Sequence, residues 1–283
     1  MVSPGGVLLV GKPAGVTSHD VVERVRRLPI ARGAKVGHAG TLDPFATGLL
    51  LLLIGEATRF QRYFMSLPKT YEATMRLGAV SDTGDPTGEI EETGERADTD
   101  AVRAAAARLV GDIRQRVPLT SAVKVGGERL YRKARRGESF ETPVRTVHVM
   151  RFDVTSFDER DQRAEVVVEC SSGTYVRQLG SDLGELCGTG AYCTALERTG
   201  IGSFRLSAAD EGDLVPLSEA LSFLPERALG PDEERRVRNG RALEGNGVDA
   251  GGPEVRLTAG GELVAVAERR DGGLKPVTVI PRS

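Results

Sequence analysis

Apolar residues occur along the chain both as short continuous runs and at helical spacing. The runs Val7–Val10 and Leu49–Ile54 are too short for buried helices and are bordered by glycines, so each predicts a fully buried strand. Weak alternation over Tyr71–Leu77 and the apolar centre of Arg163–Cys170 predict two further strands. The pattern therefore indicates a sheet whose strands lie deep in a core.

Three segments have the pattern of helices. Thr17–Leu28 opens with a capping box, in which an aspartate follows the first threonine by three residues, and its valines form one apolar face. Thr99–Val110 carries a stripe of alanines and ends before a glycine, and Gln178–Leu186 is also helical in pattern. Strands and helices are interspersed without a regular βαβ period, which predicts an α+β fold with a mixed sheet.

The composition changes near residues 225–231. Before this point, the acidic and Gly/Thr-rich stretch Val80–Asp98 predicts an exposed loop or hairpin. After it, glycine-rich turns separate short strands predicted at Glu254–Thr258, Glu262–Glu268 and Lys275–Ile280. We therefore expect a large domain over residues 1–224 and a small β-rich domain over residues 225–283.

The composition argues against several classes of protein. With 40% hydrophobic and 28% charged residues, the chain resembles a soluble globular protein, and no apolar run is long enough to cross a bilayer. No apolar segment with a basic leader opens the sequence, so a cytoplasmic location is expected. The cysteines and histidines number three each and make no metal-ligand spacing, so neither disulfides nor a metal are expected. A net charge of −2 means that nucleic acid would bind only to a local basic patch.

A GxxxxGK match at Gly6–Lys12 is not expected to bind a nucleotide. Pro13 stands where a phosphate loop needs serine or threonine, and the intervening residues form a strand rather than a flexible loop. A strand that ends at a Lys-Pro turn is the better interpretation.

Asp43 is the main candidate for chemistry, in the stretch VGHAGTLDPFATGLLLLLIG. It stands in a Gly/Thr-rich turn directly before the buried strand Leu49–Ile54. Aspartate followed by proline is common turn chemistry, so a purely structural turn is one interpretation. A reactive carboxylate on a loop that a rigid strand anchors is the other. The residues by themselves leave both interpretations open.

Two segments that combine basic and aromatic residues are candidates for binding. We expect Thr174–Arg177 to be extended, which places Tyr175 and Arg177 on one face, where they can stack on a base or pair with a carboxylate. An amphipathic edge strand with a solvated arginine explains this pattern equally well. Arg129–Arg136, RLYRKARR, interleaves a tyrosine with five cations and suits a phosphate backbone, although most charge runs are solvated faces.

Six longer segments contain these motifs: GVLLVGKPAGVTSHDVV, GHAGTLDPFATGLLLLLIGEATRF, KTYEATMRLGAVSDTGD, SAVKVGGERLYRKARRG, CSSGTYVRQLGSDLGE and GAYCTALERTGIG. Together and in this order they closely resemble the bacterial TruB family of tRNA pseudouridine synthases. The resemblance covers roughly residues 5–215 and a small C-terminal module of the kind that the family often carries. Its motif GHxGTLDPxATG is long and highly specific.

The resemblance implies conversion of uridine 55 in the T loop of tRNA to pseudouridine, in which uracil leaves C1′ of its ribose and is reattached through C5. It also implies the pseudouridine synthase fold, with a largely antiparallel sheet flanked by helices, and no cofactor or metal. By the same resemblance Asp43 is the catalytic aspartate, since a carboxylate can stabilise or attack the sugar as a glycosidic bond breaks. Whether it attacks the sugar, attacks the base or removes a ribose proton is left open.

Other matched residues take supporting roles by this resemblance. Arg177 would pair with Asp43 and keep it ionised in an apolar pocket. Tyr71 would stack on the target uracil and assist proton removal from C5. Tyr175 and Leu196 would line the base pocket.

Contacts with RNA are implied in the same way. His38 would help hold the stem-loop with the uridine turned out, and Asp85 would contact a flipped neighbouring base. Arg129–Arg136 would bind the tRNA backbone, and a PUA-like C-terminal domain would bind the acceptor end. Thr120 and Phe140–Thr146 depart from the family pattern, which has an aromatic residue and an Arg-Pro pair there, and this bears on RNA contacts rather than on the chemistry.

The expected partner is the T stem-loop of tRNA, bound by a monomer that needs no protein partner and does not contact a membrane. Missing basic tails and a short C-terminus favour such a stand-alone enzyme. Two alternatives stay open: an RNA-folding or RNA-binding protein whose isomerase activity is absent or secondary, and a component of a guide-RNA complex, as in archaeal and eukaryotic relatives. Activity on bare tRNA distinguishes them.

Overall fold

Strands are the main elements of the chain. The computed structural model describes residues 5–118, 121, 124–125, 128–129, 142–245, 252–270 and 272–281. The strands of these residues are, in chain order, β1 (Gly6–Lys12), β2 (Val36–His38), β3 (Thr47–Ile54), β4 (Lys69–Leu77), β5 (Ala79–Ser81), β6 (Ile90–Glu92), β7 (Gly111–Arg116), β8 (Lys124–Val125), β9 (Glu128–Arg129), β10 (Val144–Asp158), β11 (Arg163–Cys170), β12 (Ala191–Ile201), β13 (Phe204–Arg205), β14 (Asp210–Pro216), β15 (Glu226–Ala228), β16 (Leu243–Glu244), β17 (Glu254–Ala259), β18 (Glu262–Arg270) and β19 (Gly273–Val279).

Helices lie between the strands. The α-helices of the described residues are α1 (Ser18–Arg26), α2 (Gln61–Ser66), α3 (Thr99–Arg108), α4 (Val176–Cys187), α5 (Leu217–Ala220) and α6 (Pro231–Arg238). Helix α3 lies inside the predicted segment Thr99–Val110, and the β5–β6 hairpin lies at the predicted exposed stretch. None of the helices in the described ranges is long and apolar enough to span a membrane.

Ten of the strands form one mixed sheet. Its hydrogen-bonded neighbours follow the order β14-β1-β3-β12-β4-β11-β10-β7, with β2 paired to β3 and β13 paired to β12. Strands β3 and β12 run parallel, whereas the other neighbouring pairs are antiparallel. The predicted α+β fold with a mixed, largely antiparallel sheet is confirmed, and β3, β12 and β4 form its centre.

Strand β3 lies in the interior with both of its faces covered. The odd-numbered residues of Leu49–Ile54 pack into a core cluster with Phe60 and Phe64, and the even-numbered ones pack into a second cluster with the valines of α1. All six side chains are fully buried. This burial on two sides explains why the apolar run is continuous rather than alternating.

Helix α1 begins where its cap begins. Thr17 Oγ1 accepts a hydrogen bond from the Asp20 amide at 3.1 Å, and the Asp20 carboxylate accepts one from the Thr17 amide at 2.8 Å. This is the predicted capping box, which satisfies amide groups that a helix leaves without partners. The valines of α1 pack against β1 and β3, so the helix is fixed both by its cap and by the sheet.

Helix α4 begins earlier than predicted, which changes the geometry of Tyr175 and Arg177. Tyr175 is extended and precedes the helix as its N-cap residue, whereas Arg177 already lies in the first turn. The predicted extended segment Thr174–Arg177 is therefore wrong, and the two side chains do not share a strand face. Gly184 lets α4 approach β12 closely, because an added Cβ would lie 2.1 Å from the backbone of that strand.

The C-terminal strands form a second, five-stranded sheet in the order β15-β17-β18-β19-β16. Three of them coincide closely with the strands predicted after residue 250. Leu263 and Val266 pack into the core cluster that contains Phe60, and Arg62 pairs with Glu268 at 3.3 Å. The second sheet therefore packs against this core cluster through apolar contacts and against α2 through a charged contact. The domain boundary between residues 224 and 225 stays a prediction.

Candidate active site

The acid loop, residues 39–46, connects β2 to β3 and carries Asp43. The Leu42 amide donates to Ser18 Oγ at 2.9 Å, and Ser18 Oγ donates to the Leu42 carbonyl at 3.2 Å. Lys12 Nζ donates to the Pro44 carbonyl at 3.2 Å, and burial lowers the pKa of this amine. The predicted Lys-Pro turn at the end of β1 and the start of α1 thus hold the acid loop in place.

Arg177 lies between two carboxylates. Its Nε donates to Asp43 Oδ2 at 2.8 Å, and its Nη1 lies 3.1 Å from Asp85 Oδ2 and donates to the Thr83 carbonyl at 2.7 Å. The exposed fraction is 3% for the Arg177 side chain, 34% for Asp43 and 7% for Asp85. The contact between Arg177 and Asp43 that the resemblance implies is therefore present. Of the three groups, only the Asp43 carboxylate reaches solvent.

Asp85 is engaged inside the protein rather than presented at the surface. Besides pairing with Arg177, its Oδ1 accepts hydrogen bonds from the Thr83 hydroxyl at 2.9 Å and from the Thr87 amide at 2.9 Å. A carboxylate held in this way fixes the orientation of the guanidinium on its other side. The implied contact of Asp85 with a flipped base stays a prediction, and the contact observed is with Arg177.

Tyr71 and Leu196 form an apolar floor beside the acid loop. Both are largely buried, on the adjacent strands β4 and β12, in one cluster with Leu42 and Ala46 on either side of Asp43. Burial raises the pKa of the Tyr71 phenol, although the nearby Arg198 opposes this shift. The phenol therefore stays protonated at neutral pH and presents an uncharged ring.

His38 ends the strand that leads into the acid loop. Its carbonyl accepts a hydrogen bond from Gln61 Nε2 at 2.7 Å. Burial is the main cause that lowers the pKa of the imidazole, and the charge of Arg198 adds to it. The imidazole Nδ1 is buried without a hydrogen-bond partner among the described residues. A neutral imidazole close to the acid loop is what these facts support, and its contact with RNA stays a prediction.

Tyr175 is held at the start of α4 by a side chain from another strand. The fully buried amide of Gln115 on β7 accepts from the Tyr175 amide at 2.7 Å and donates to the Tyr175 carbonyl at 3.1 Å. The Arg145 guanidinium lies 5.9 Å from the centre of the tyrosine ring. Since Arg177 follows two residues later, Gln115 also fixes the helix turn that carries the arginine.

We expect Gln115→Met to destabilise the protein by about 1–3 kcal/mol, because it leaves the Tyr175 amide and carbonyl without their partner. The matched control is Gln178→Met, which removes one bond to Asp182 on α4 and should cost about 0.2–0.5 kcal/mol. Urea unfolding of both variants measures these losses. Equal losses would show that Gln115 does not anchor the helix start.

Lys69 is a buried amine near the same floor. It donates to the Met65 and Leu67 carbonyls at the end of α2, and burial, aided by the Arg198 charge, lowers its pKa from 10.5 to about 8. Between these two values the unfolded chain keeps the Lys69 proton and the folded chain does not. The free energy of unfolding therefore increases with pH between about 8 and 10.5, by up to about 1.4 kcal/mol per pH unit.

The Lys69→Met variant lacks the amine that causes this increase in the free energy of unfolding. We expect its stability relative to the unmodified protein to be highest near pH 7 and to fall as pH rises from 8 to 10. Urea unfolding across this range measures the difference. If the free energies of unfolding of the two proteins changed with pH in parallel, Lys69 would not be a buried, weakly basic amine.

Several polar residues of the site gave no signal in the sequence. Gln115 and Arg198 stand among other polar residues of their strands, where such residues usually face solvent, yet both are buried. In the described ranges no three or more histidines, cysteines, aspartates or glutamates lie together in a way that could hold a metal. The predicted basic run at residues 129–136 and Thr120 lie almost wholly outside the described residues.

Comparison with known proteins identifies the family to which the chain belongs. A family model described as the N-terminal domain of TruB family pseudouridylate synthases matches residues 26–176. The chain is 44% identical to tRNA pseudouridine synthase B of Thermobifida fusca, over 98% of this chain and 99% of the relative. The chain belongs to the TruB family. It is therefore an enzyme of the pseudouridylate synthase class.

Further TruB relatives and solved structures extend the comparison. tRNA pseudouridine synthase B of Mycobacterium tuberculosis is 40% identical, over 98% of both chains. The crystal structure of a Cbf5-Nop10-Gar1 complex matches 99% of this chain and 86% of its own at a TM-score of 0.75 and 24% identity. An H/ACA RNP bound to a substrate RNA containing 2′-deoxyuridine matches 100% of this chain and 87% of its own. Its TM-score is 0.74 and its sequence identity is 21%. These structures support the pseudouridine synthase fold.

Proposed function

We propose that this TruB-family enzyme converts uridine 55 in the T loop of tRNA to pseudouridine, acting as a monomer on bare tRNA in the cytoplasm. The observation that carries the proposal is the partly exposed Asp43 carboxylate, fixed by the buried Arg177 beside the apolar floor of Tyr71 and Leu196. Relatives called tRNA pseudouridine synthase B match almost the whole chain, which supports tRNA as the substrate.

The reaction needs a carboxylate in a site from which water is excluded. As uracil leaves, positive charge develops at C1′, and an anionic oxygen nearby stabilises it or bonds to it. Water in the same place would capture the sugar and release the base. The Asp43 side chain is 34% exposed, and in this proposal the bound substrate covers its exposed part. Attack on the sugar, attack on the base and removal of a ribose proton are all compatible with this placement.

Arg177 supports the acid in this proposal by holding it in its charged form and in a single orientation. Its guanidinium meets Asp43 on one side and Asp85 on the other, and such buried pairs resist rotation because Nε and Nη1 already have acceptors. Asp85 is thus a residue that positions Arg177. The pair delivers a carboxylate that needs no rearrangement when the uridine arrives.

Tyr71 contributes its ring and a protonated hydroxyl group. An uncharged aromatic ring on the pocket floor stacks on the face of a uracil that has been turned out of the loop. After the base has rotated and bonded through C5, the hydrogen on C5 must leave as a proton, and the Tyr71 hydroxyl can relay it by passing its own proton to a base, such as the Asp43 carboxylate, as it accepts this one. Leu196 closes the floor beside the ring and excludes water.

The remaining predicted residues serve RNA binding in this proposal. Turning the nucleotide out costs a few kcal/mol, which stacking and backbone contacts offset. His38 and Tyr175 lie at the two segments that border the acid, the basic run Arg129–Arg136 meets the tRNA backbone, and a PUA-like domain of residues 225–283 meets the acceptor end. Residues 1–224 form the catalytic domain.

Mapping of the modified nucleotide tests the substrate assignment. The purified protein is incubated with an unmodified tRNA transcript, and pseudouridine is located by reverse transcription after carbodiimide treatment. We expect a single stop that corresponds to position 55, and no stop in a transcript that carries cytidine there. A stop at another position, or activity that needs added protein or guide RNA, would overturn the proposal.

A further inference from the structure

Arg198 is a buried cation beneath the acid loop. It lies on β12 directly across from Tyr71 on β4, is 1% exposed, and heads the fully buried side chains of the described residues in volume. Burying a guanidinium is costly unless its hydrogen-bond donors are satisfied. The hydrogen bonds of the Arg198 guanidinium therefore indicate the role of this residue in the fold.

The guanidinium of Arg198 bonds to backbone on both sides of Asp43, within the acid loop and in β3. Nε donates to the Leu49 carbonyl at 2.8 Å, Nη2 donates to the Gly40 carbonyl at 3.1 Å, and Nη1 makes a longer contact with the Thr41 carbonyl at 3.4 Å. Gly40 and Thr41 precede Asp43, and Leu49 follows it. One planar side chain thus sets the separation of the two segments between which the catalytic carboxylate projects.

The backbone of Arg198 also contacts the start of β3, which directly follows the acid loop. Gly48 has a φ of +107°, and an added Cβ there would lie 2.4 Å from the Arg198 carbonyl oxygen and 2.6 Å from its nitrogen. The neighbouring Thr47 hydroxyl donates to the Glu197 carboxylate at 3.1 Å. The end of the acid loop therefore rests directly on β12, with no space for it to shift towards that strand.

We propose that Arg198 is a positioning residue for Asp43, which holds the acid loop in the geometry that brings the carboxylate to Arg177. The inference rests on the proposed function only for its kinetic consequence, because the loop contacts are independent of the reaction. Arginine is required because three carbonyls in different directions need a rigid fork of donors, whereas a lysine ammonium is a single point. Arg198 is not expected to touch the RNA.

Replacement of Arg198 tests this role by kinetics. For Arg198→Met, we expect the single-turnover rate at saturating tRNA to fall at least about a hundredfold, as misplacement of a catalytic group by about 1 Å does. The Kd for tRNA should change little. The single-turnover rate of Arg198→Lys should lie between those of Arg198→Met and the unmodified protein. The matched control is Arg96→Met, which removes an exposed arginine outside the site that donates to the Arg160 carbonyl at 3.0 Å and should keep the rate.

A second readout needs no activity. Hydrogen exchange at the amides of Ala39, Leu42 and Ala46, which are hydrogen-bonded in the folded protein, should be faster in Arg198→Met than in Arg96→Met. If Arg198→Met does not fold by circular dichroism, Arg198→Lys takes its place under the same criteria. Should the unmodified protein fail to modify tRNA, the proposed function fails, while loop exchange still decides the role of Arg198.

Three results would overturn the inference. One is a rate for Arg198→Met equal to that of Arg96→Met at the same folded fraction. Another is unchanged exchange of the loop amides. The third is a Kd for tRNA that rises in proportion to the loss of rate, which would make Arg198 an RNA-binding residue instead.

Discussion

Asp43→Asn should abolish pseudouridine formation while tRNA binding is nearly kept. The substitution preserves size, and the asparagine oxygen can still accept the hydrogen bond from Arg177 Nε, so the loop keeps its place. The amide, however, neither carries negative charge nor acts as a nucleophile or base. We expect the single-turnover rate to fall by at least about 10⁴-fold, the scale of losses when one essential group is removed.

A matched control separates this effect from a general loss of charge. Asp112 is exposed and pairs with His148 on the surface, so Asp112→Asn should leave both rate and binding unchanged. Binding is followed by filter retention of labelled tRNA, and turnover by quenched single-turnover reactions. Comparable losses of binding and turnover in Asp43→Asn would contradict the catalytic assignment.

Arg177→Met should have the largest effect on stability. It removes the buried cation between two carboxylates and leaves Asp85, which is 7% exposed, without its charged partner. Breaking a buried ion pair from one side typically costs about 3–5 kcal/mol, because the remaining charge is buried and uncompensated. Activity should be lost together with stability, since Asp43 also loses the group that orients it.

The double variant Arg177→Met/Asp85→Asn distinguishes the two effects. Removing the orphaned charge should restore part of the lost stability, whereas activity should stay lost because Asp43 still lacks its partner. Urea unfolding gives the stability of each protein, and single-turnover kinetics gives its activity. A double variant no more stable than Arg177→Met would show that Asp85 does not depend on Arg177 for its burial.

The elements predicted best from sequence are those whose pattern is decided locally. The run Leu49–Ile54 is apolar at every position because both faces of β3 are covered, and the start of α1 is set by a cap within three residues. Binary patterning and capping chemistry are readable without knowledge of the rest of the fold. Both elements lie next to the acid loop, so its surroundings could be predicted in outline.

The start of α4 could not be predicted in this way. The segment around Tyr175 has no side-chain cap of its own, and its backbone is held by Gln115, which is 60 residues away in the chain. The role of Arg198 could not be predicted for a similar reason, since the carbonyls to which it donates are 149 to 158 residues away in the chain. The contact of Arg177 with Asp43 was expected only through the family resemblance, as nothing local links them.

Release of tritium from tRNA tests the central claim most directly. A tRNA transcript labelled at C5 of its uridines is mixed with the purified protein and with nothing else. Bonding of C1′ to C5 must expel that hydrogen, so the account predicts about one equivalent of tritium released into water per tRNA, and none with Asp43→Asn. Tight binding of the same tRNA without release by the unmodified protein would contradict it, and would mark the protein as an RNA-folding factor or as one part of a larger enzyme.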